Sequence, residues 1–151
     1  MKIVVDTNIV FSAILNTNSK IGDLLMNSES IFEFRSVMYL KEEIENHEEK
    51  LMAISGLSQG QIEQSTEQVF SCIKFISEEI IPFEVWQKAV RLVRDVDMDD
   101  IAFVALSEYE EIKLWTGDKE LITGLKAKGF QNCITTEEMV ELRRVSEQNK
   151  K

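Results

Sequence analysis

The sequence predicts an α/β fold of three layers, α/β/α, around a central, mostly parallel sheet of four or five strands. Three observations carry that prediction. Apolar runs of strand length recur along the chain, at Ile3–Val5, Ile31–Phe34, Ile73–Ile76, Ile112–Trp115 and Phe130–Ile134. Between them lie longer stretches with apolar residues at helical spacing, and segments of ten or more residues joining strands imply right-handed crossovers and a parallel sheet covered on both faces. Two of the runs lead into an aspartate, Asp6 directly and Asp118 through Thr116-Gly117, which in a parallel sheet would place both at its carboxyl edge.

The elements follow in order. A buried strand, Ile3 to Asp6, leads into a helix over Asn8–Leu15. Ser19 can cap a short helix through Met26. Ile31–Phe34 alternates as a strand should, and Ser36 is placed to cap a long amphipathic helix from Val37 to about Met52. Ser58 opens a helix over Gln61–Phe70, and the strand Ile73–Ile76 follows. Pro82 begins the helix Phe83–Arg94, because a missing N–H costs nothing in a first helical turn. The acidic loop Asp95–Asp99, a helix from Asp100, the strand Ile112–Trp115 and a helix over Lys119–Lys128 come next. Gly129 stops that helix, and Thr135 or Thr136 caps a closing helix after the last strand. With 151 residues, no internal repeat and one proline, the chain reads as a single domain over 1–146, with 147–151 a frayed tail. Trp86 and Trp115 read as core.

Composition bounds the function. No stretch approaches the ~20 continuous apolar residues of a membrane span. The opening Met1–Asp6 is not read as a signal peptide, because an aspartate interrupts it before an apolar region develops. The expected compartment is the cytoplasm, with Cys72 and Cys133 as buried reduced thiols or, alternatively, a disulfide. A net charge of -10 repels phosphate, whereas proteins that hold nucleic acid usually present a basic face. Divalent cations bound by clustered acids would neutralise part of that charge.

Each acid at a helix start has a plain structural explanation, since Asp6, Asp99 or Asp100, and Asp118 could all be N-caps. Glu43 cannot be explained so. It lies inside its helix, on the side of Leu40, Ile44 and His47 at 100° per residue, while Glu42 points nearly opposite. A carboxylate on an apolar face needs a partner, either a lysine or a bound cation.

Val4-Val5-Asp6-Thr7-Asn8-Ile9-Val10-Phe11-Ser12-Ala13 resembles the opening signature of the PIN domain, a family of magnesium- or manganese-dependent nucleases, and Thr116-Gly117-Asp118 is similar to its closing signature. The resemblance implies four acids, Asp6, Glu43, Asp100 and Asp118, holding Mg²⁺ or Mn²⁺ directly or through water. Asp99 could replace or assist Asp100, and Glu42 stands as the alternative to Glu43. Asn8 and Thr116 would position a ligand or water. The family further implies hydrolysis of RNA to a 5′-phosphate and a 3′-hydroxyl, and it includes VapC-type toxins neutralised by an antitoxin, many of them dimers. Oxygen ligands suit such hard cations. His47, one turn beyond Glu43, could hydrogen-bond that carboxylate. Lys20, Lys119 and Lys126 are the candidate phosphate contacts.

Two rival readings fit less of the chain. An aspartyl-phosphate enzyme would use Asp6 as acceptor, but haloacid-dehalogenase-like phosphatases want a second aspartate where this chain has Asn8, and a receiver domain wants paired acids after its first strand. A non-catalytic interaction module would keep the fold without the chemistry.

Overall fold

A computed structural model describes residues 1–149 of the chain. In order these form β1 (Lys2–Val5), α1 (Thr7–Leu15), α2 (Lys20–Met26), β2 (Glu33–Val37), α3 (Tyr39–Asn46), α4 (Glu48–Ser55), α5 (Gln59–Phe70), β3 (Ile73–Ile76), α6 (Phe83–Val93), α7 (Ile101–Glu110), β4 (Lys113–Trp115), α8 (Lys119–Ala127), β5 (Cys133–Ile134) and α9 (Thr136–Asn149). Short 3₁₀ turns lie at Glu78–Ile80 and Met98–Asp100. The five strands form one sheet in the order β3-β2-β1-β4-β5, with every pairing parallel. The three-layer α/β/α reading therefore holds.

This order has a consequence for function. Connections run outward from β1 through β2 and β3 on one side, then through β4 and β5 on the other. The order reverses between β1 and β4, and crevices at such switch points are where open parallel sheets bind ligands. Val5 pairs with Trp115, so both strands end level at that crevice.

Helices cover both faces, so the strands are apolar almost throughout. On one side α7 packs against β1, β2 and β4, with Ala102 to Ser107 all buried. On the other, Phe34 packs against Trp115 at 5.7 Å between ring centroids, and the indole donates to Thr116's distant neighbour Thr136, through Nε1 to Oγ1 at 3.0 Å. Among the described residues, Arg35 is the one charged strand residue that is buried. Its guanidinium donates from Nε to Glu110 at 3.0 Å, pairs through Nη2 with the same carboxylate at 2.8 Å, and reaches Glu33 at 3.2 Å.

Three local expectations are corrected. The second strand is Glu33–Val37, not Ile31–Phe34, and Ser36 lies within it instead of capping a helix. Pairing with β3 extends the strand to Val37, and the Ser36 hydroxyl donates to the Val5 carbonyl at 2.8 Å. The long helix expected over 37–52 is two helices broken at His47. The His47 ring replaces the backbone donor: Nδ1 donates to the Glu43 carbonyl at 2.6 Å while the His47 amide turns to Ile44. The last strand shrinks to Cys133–Ile134 because Phe130 belongs to the end of α8. Its amide bonds the Leu125 carbonyl and that of Gly129, at φ +90°, bonds Lys126, with Phe130 packed in the core: the left-handed glycine stop that closes many helices.

Other expectations hold in full or in part. Ser58 and Gln61 form a reciprocal cap on α5, and Thr135 and Glu138 do the same for α9. Trp115 is fully buried and Trp86 packs at the core's edge. Cys72 and Cys133 are free thiols, half-buried instead of buried. Residues 147–149, expected to fray, continue α9 to Asn149; 150 and 151 lie outside the described residues. Among the described residues no helix is long and apolar enough to cross a membrane.

The Arg35–Glu110 pair is nearly dry, so removing one partner leaves an uncompensated charge. Arg35→Ala is expected to lower unfolding stability by about 3 kcal/mol in urea titration. Replacing both partners by Met and Leu should recover most of that loss.

Candidate metal centre

Asp6 and Thr116 are the first residues beyond the paired ends of β1 and β4. Asp6 caps α1, its Oδ1 accepting from the Ile9 amide at 3.0 Å. Asp118 caps α8 in the same way, through Oδ1 and the Leu121 amide at 3.1 Å, and the Thr116 hydroxyl accepts from the Asp118 amide at 3.2 Å. Capping engages one oxygen of each carboxylate. The other Asp6 oxygen, Oδ2, is buried and has no hydrogen-bond partner.

An orphaned carboxylate oxygen in a dry site is costly. Asp6 is only 2% exposed, and burial pushes its pKa from 3.8 up to about 6. The Thr116 hydroxyl and the Ile9 amide moderate the rise, and the Asp118 charge adds to it. The Thr116 hydroxyl is thus near enough to act on Asp6, yet it completes no hydrogen bond to Oδ2.

Asp100 occupies the N-cap position of α7 but makes no side-chain capping bond. Its carboxyl is pushed to about 7, first by burial and then by Asp6, Asp97, Asp118 and Asp99. Carboxylate oxygens of Asp97, Asp100 and Asp118 lie within 4.8 Å of one another. Asp97 was not among the expected acids. Its signal was the three-residue spacing to Asp100: Asp97 enters the 3₁₀ turn Met98–Asp100 in extended backbone, and its carbonyl accepts from the Asp100 amide at 3.3 Å, so the turn closes with the two residues together. Asp99 lines the same cleft and, like Asp97, is exposed, but it is not one of the three converging carboxylates. Asp97 also shapes its own turn, accepting from the Asp99 amide at 2.9 Å. The loop is seated on α8 by Val96, which fills the space beside Gly124; a Cβ there would fall 2.5 Å from Val96 Cγ2.

Glu43 reaches this cleft from α3, half-buried, while Glu42 is exposed. Its carboxylate accepts from the Thr7 hydroxyl at 2.7 Å. The partner is therefore neither a lysine nor His47, whose ring takes the Glu43 carbonyl instead. Thr7, within the opening signature, was given no role by sequence reasoning. Asn8 lines the cleft and Thr116 lies buried beneath it. The cleft measures about 240 Å³, and its remaining walls include Phe11, His47 and Lys50. Of the lysines expected to meet phosphate, Lys119 lines an adjoining groove with Asp95, Asp97 and Asp118; Lys20 and Lys126 line neither cavity.

The family model of the PIN domain matches residues 4–148. The chain belongs to the PIN-domain family. No curated protein matches it. Among solved structures, PAE2754 from Pyrobaculum aerophilum superposes with a TM-score of 0.66 at 15% identity, covering 94% of this chain and 89% of that one. VapBC2 from Rickettsia felis, solved bound to a DNA fragment from its promoter, gives 0.66 at 14% identity over 89% of this chain and 97% of the other. At such identity the likeness is one of fold.

Within this PIN domain, three of the four acids expected from the resemblance, Glu43, Asp100 and Asp118, line one cleft, and Asp6 is buried beside it. Asp100 and Asp118 meet with Asp97, Asp6 lies close enough to raise Asp100, and Glu43 faces them from α3. Both carboxyls are pushed above 3.8, so the folded protein binds protons more tightly than the unfolded chain. The contribution of Asp6 and Asp100 therefore favours folding near pH 4 and is lost as pH rises through about 7. Asp6→Asn keeps a capping oxygen and removes the buried charge. In metal-free buffer at pH 8 it is expected to raise stability by about 2 kcal/mol. The gain should shrink towards pH 5, measured by thermal melts across that range.

Proposed function

We propose that this PIN domain is a Mg²⁺- or Mn²⁺-dependent ribonuclease that hydrolyses RNA phosphodiester bonds in the cytoplasm, leaving a 5′-phosphate and a 3′-hydroxyl. The observation that carries the reading is Asp6 Oδ2, a buried anionic oxygen without a donor, beside a second group of converging carboxylates. A donor set made wholly of carboxylate oxygens suits a hard divalent cation and little else. Asp6, Asp97, Asp100 and Asp118 would hold it, and Glu43, kept in place by Thr7, would complete the site from the facing wall. When bound, such an ion supplies Lewis acidity toward phosphate and an activated water.

The chain's own residues set the conditions for that chemistry. The capping bonds of Asp6 and Asp118 lock two carboxylates before any ligand arrives, so little ordering remains to be done on binding. Asn8, exposed in the cleft, offers an amide to a substrate oxygen or a water. The aspartyl-phosphate alternative fares poorly, because Asp6 is only 2% exposed and its free oxygen is buried, which leaves no room for a phosphorus centre in line. An ion needs only the edge of that oxygen.

A specific observation favours a toxin-like protein with an inhibitory partner, a reading also supported by the VapBC2 neighbour. Between α3, α4 and α5 lies a groove of about 560 Å³, with Ile44, Leu51, Ile62 and Phe70 in its floor and Glu45, Glu48, Glu63 and Glu67 around it. An amphipathic antitoxin segment with basic flanks complements both features. A dimer of this chain is the form in which we expect the enzyme to act.

Purified protein should cleave single-stranded RNA in Mn²⁺ or Mg²⁺ and not in EDTA. Asp6→Asn, Asp100→Asn and Asp118→Asn should each lower kcat/KM by about 100-fold or more, roughly 3 kcal/mol of barrier. Cleavage by Asp6→Asn equal to that of the parent would trace the activity to a contaminant. Asp97→Asn tests the residue that sequence reasoning passed over, with weaker Mn²⁺ binding by calorimetry as the expected result.

A further inference from the structure

We propose that Lys50 is the RNA-gripping residue of this cleft and that it takes the phosphate next to the one that is cut, an inference that rests on the ribonuclease reading. Lys50 enters from the first turn of α4, immediately after the break at His47. It lines the cleft with Glu43, Asp97, Asp99, Asp100 and Asp118, and among the described residues it is the one lysine or arginine to do so. Among the described residues it makes no ion pair, although five carboxylates share the cavity. Its Nζ instead stands over the Phe11 ring, 5.6 Å from the centroid. An exposed cation–π contact of that kind is weak and is readily exchanged for a phosphate oxygen.

Position decides which phosphate. Phe11 is four residues beyond Thr7 on α1, roughly 6 Å along the helix axis from the residue that holds Glu43. Nζ is therefore offset along α1 from the end of the cleft where the acids converge. A phosphate held over those acids and a phosphate at Nζ are neighbours on one strand, not the same group. The arrangement also answers the chain's charge of -10. RNA need not meet a broad basic face if one unpaired cation stands beside the acids and catches the strand. Lys20, Lys119 and Lys126, the lysines expected from the sequence to meet phosphate, line no part of this cleft, and the place of Lys50 depends on the helix break.

Steady-state cleavage of a single-stranded RNA oligonucleotide with one mapped cut site tests the proposal, using the full chain with Mn²⁺ and potassium chloride from 50 to 200 mM. Lys50→Gln and Lys50→Met are expected to raise KM about tenfold with kcat within about twofold. Both should flatten the slope of log(kcat/KM) against log[salt] by about 0.7, the loss of one phosphate contact on a single strand. Lys50→Arg should retain the parental KM and slope. RNA anisotropy in the cleavage-silenced Asp6→Asn background gives a binding readout, in which Lys50→Gln should again weaken affinity about tenfold. A methylphosphonate at the neighbouring position should abolish the difference between parent and Lys50→Gln. Lys50→Met matching the parent in KM and slope would mean that the apolar stem over Phe11 is all that matters, and the proposal would be overturned. So would Lys50→Arg as impaired as Lys50→Gln. Parent protein that neither cleaves nor binds RNA would instead overturn the ribonuclease reading, so the two failures are distinguishable.

Discussion

A single carboxylate buried at the reversal point of the sheet constrains this protein more than any other group. Asp6 follows β1 directly, and its Oδ1 holds the start of α1, so the side chain cannot swing away to find water for Oδ2. Thr116 and Asp118 leave the neighbouring strand at the same level, and Asp100 arrives from above on α7. The resulting repulsion and desolvation work against folding of the empty site. Proteins concentrate such unfavourable placements where a ligand will relieve them.

The same bonds that form ordinary helix ends also form this site. A capping aspartate uses one oxygen and leaves the other uncommitted, so Asp6 and Asp118 serve local structure and the site together. The 3₁₀ turn before α7 extends the pattern, bringing Asp97 into line with Asp100 while Asp97 also closes the turn. Val96 against Gly124 fastens that turn to α8, which Asp118 caps. The acids are thereby tied to one another through backbone as well as through charge, and a shift of the loop would move Asp97 relative to Asp118.

The facing wall depends on a broken helix. Because the His47 ring claims the Glu43 carbonyl, α3 ends there and α4 takes a new start. Glu43 can then meet Thr7 while Lys50 lies over Phe11, so one stretch of chain contributes an acid and a cation to α1 at points one turn apart. On the ribonuclease reading proposed above, this would let an acidic protein approach RNA, with attraction placed locally and the rest of the surface left to repel unspecific phosphate.

Strand and helix identities along the chain, and three of the acids in the cleft, were legible without coordinates. Short apolar runs set β1 and β3, side-chain caps at Ser58 and Thr135 set helix starts, and the two signature aspartates follow strands, all through interactions within a few residues. What could not be read was whatever depended on a partner far along the chain. Ser36 has the chemistry of a cap, yet pairing with β3 and the Val5 carbonyl draws it into a strand. Whether His47 reaches the Glu43 carboxylate or its carbonyl is a question of rotamer and helix continuity, and Thr7 had already taken the carboxylate. Asp97 and Lys50 gain their places from a tight turn and a helix break, which local propensity scarcely distinguishes from a loop and a continuous helix. The sequence by itself determined which residue types stand at the ends of which strands, since hydrophobic period and capping are short-range. Only the tertiary structure decided which oxygen is left without a donor and which cation stands without an acid, because both follow from the packing of segments remote in the chain.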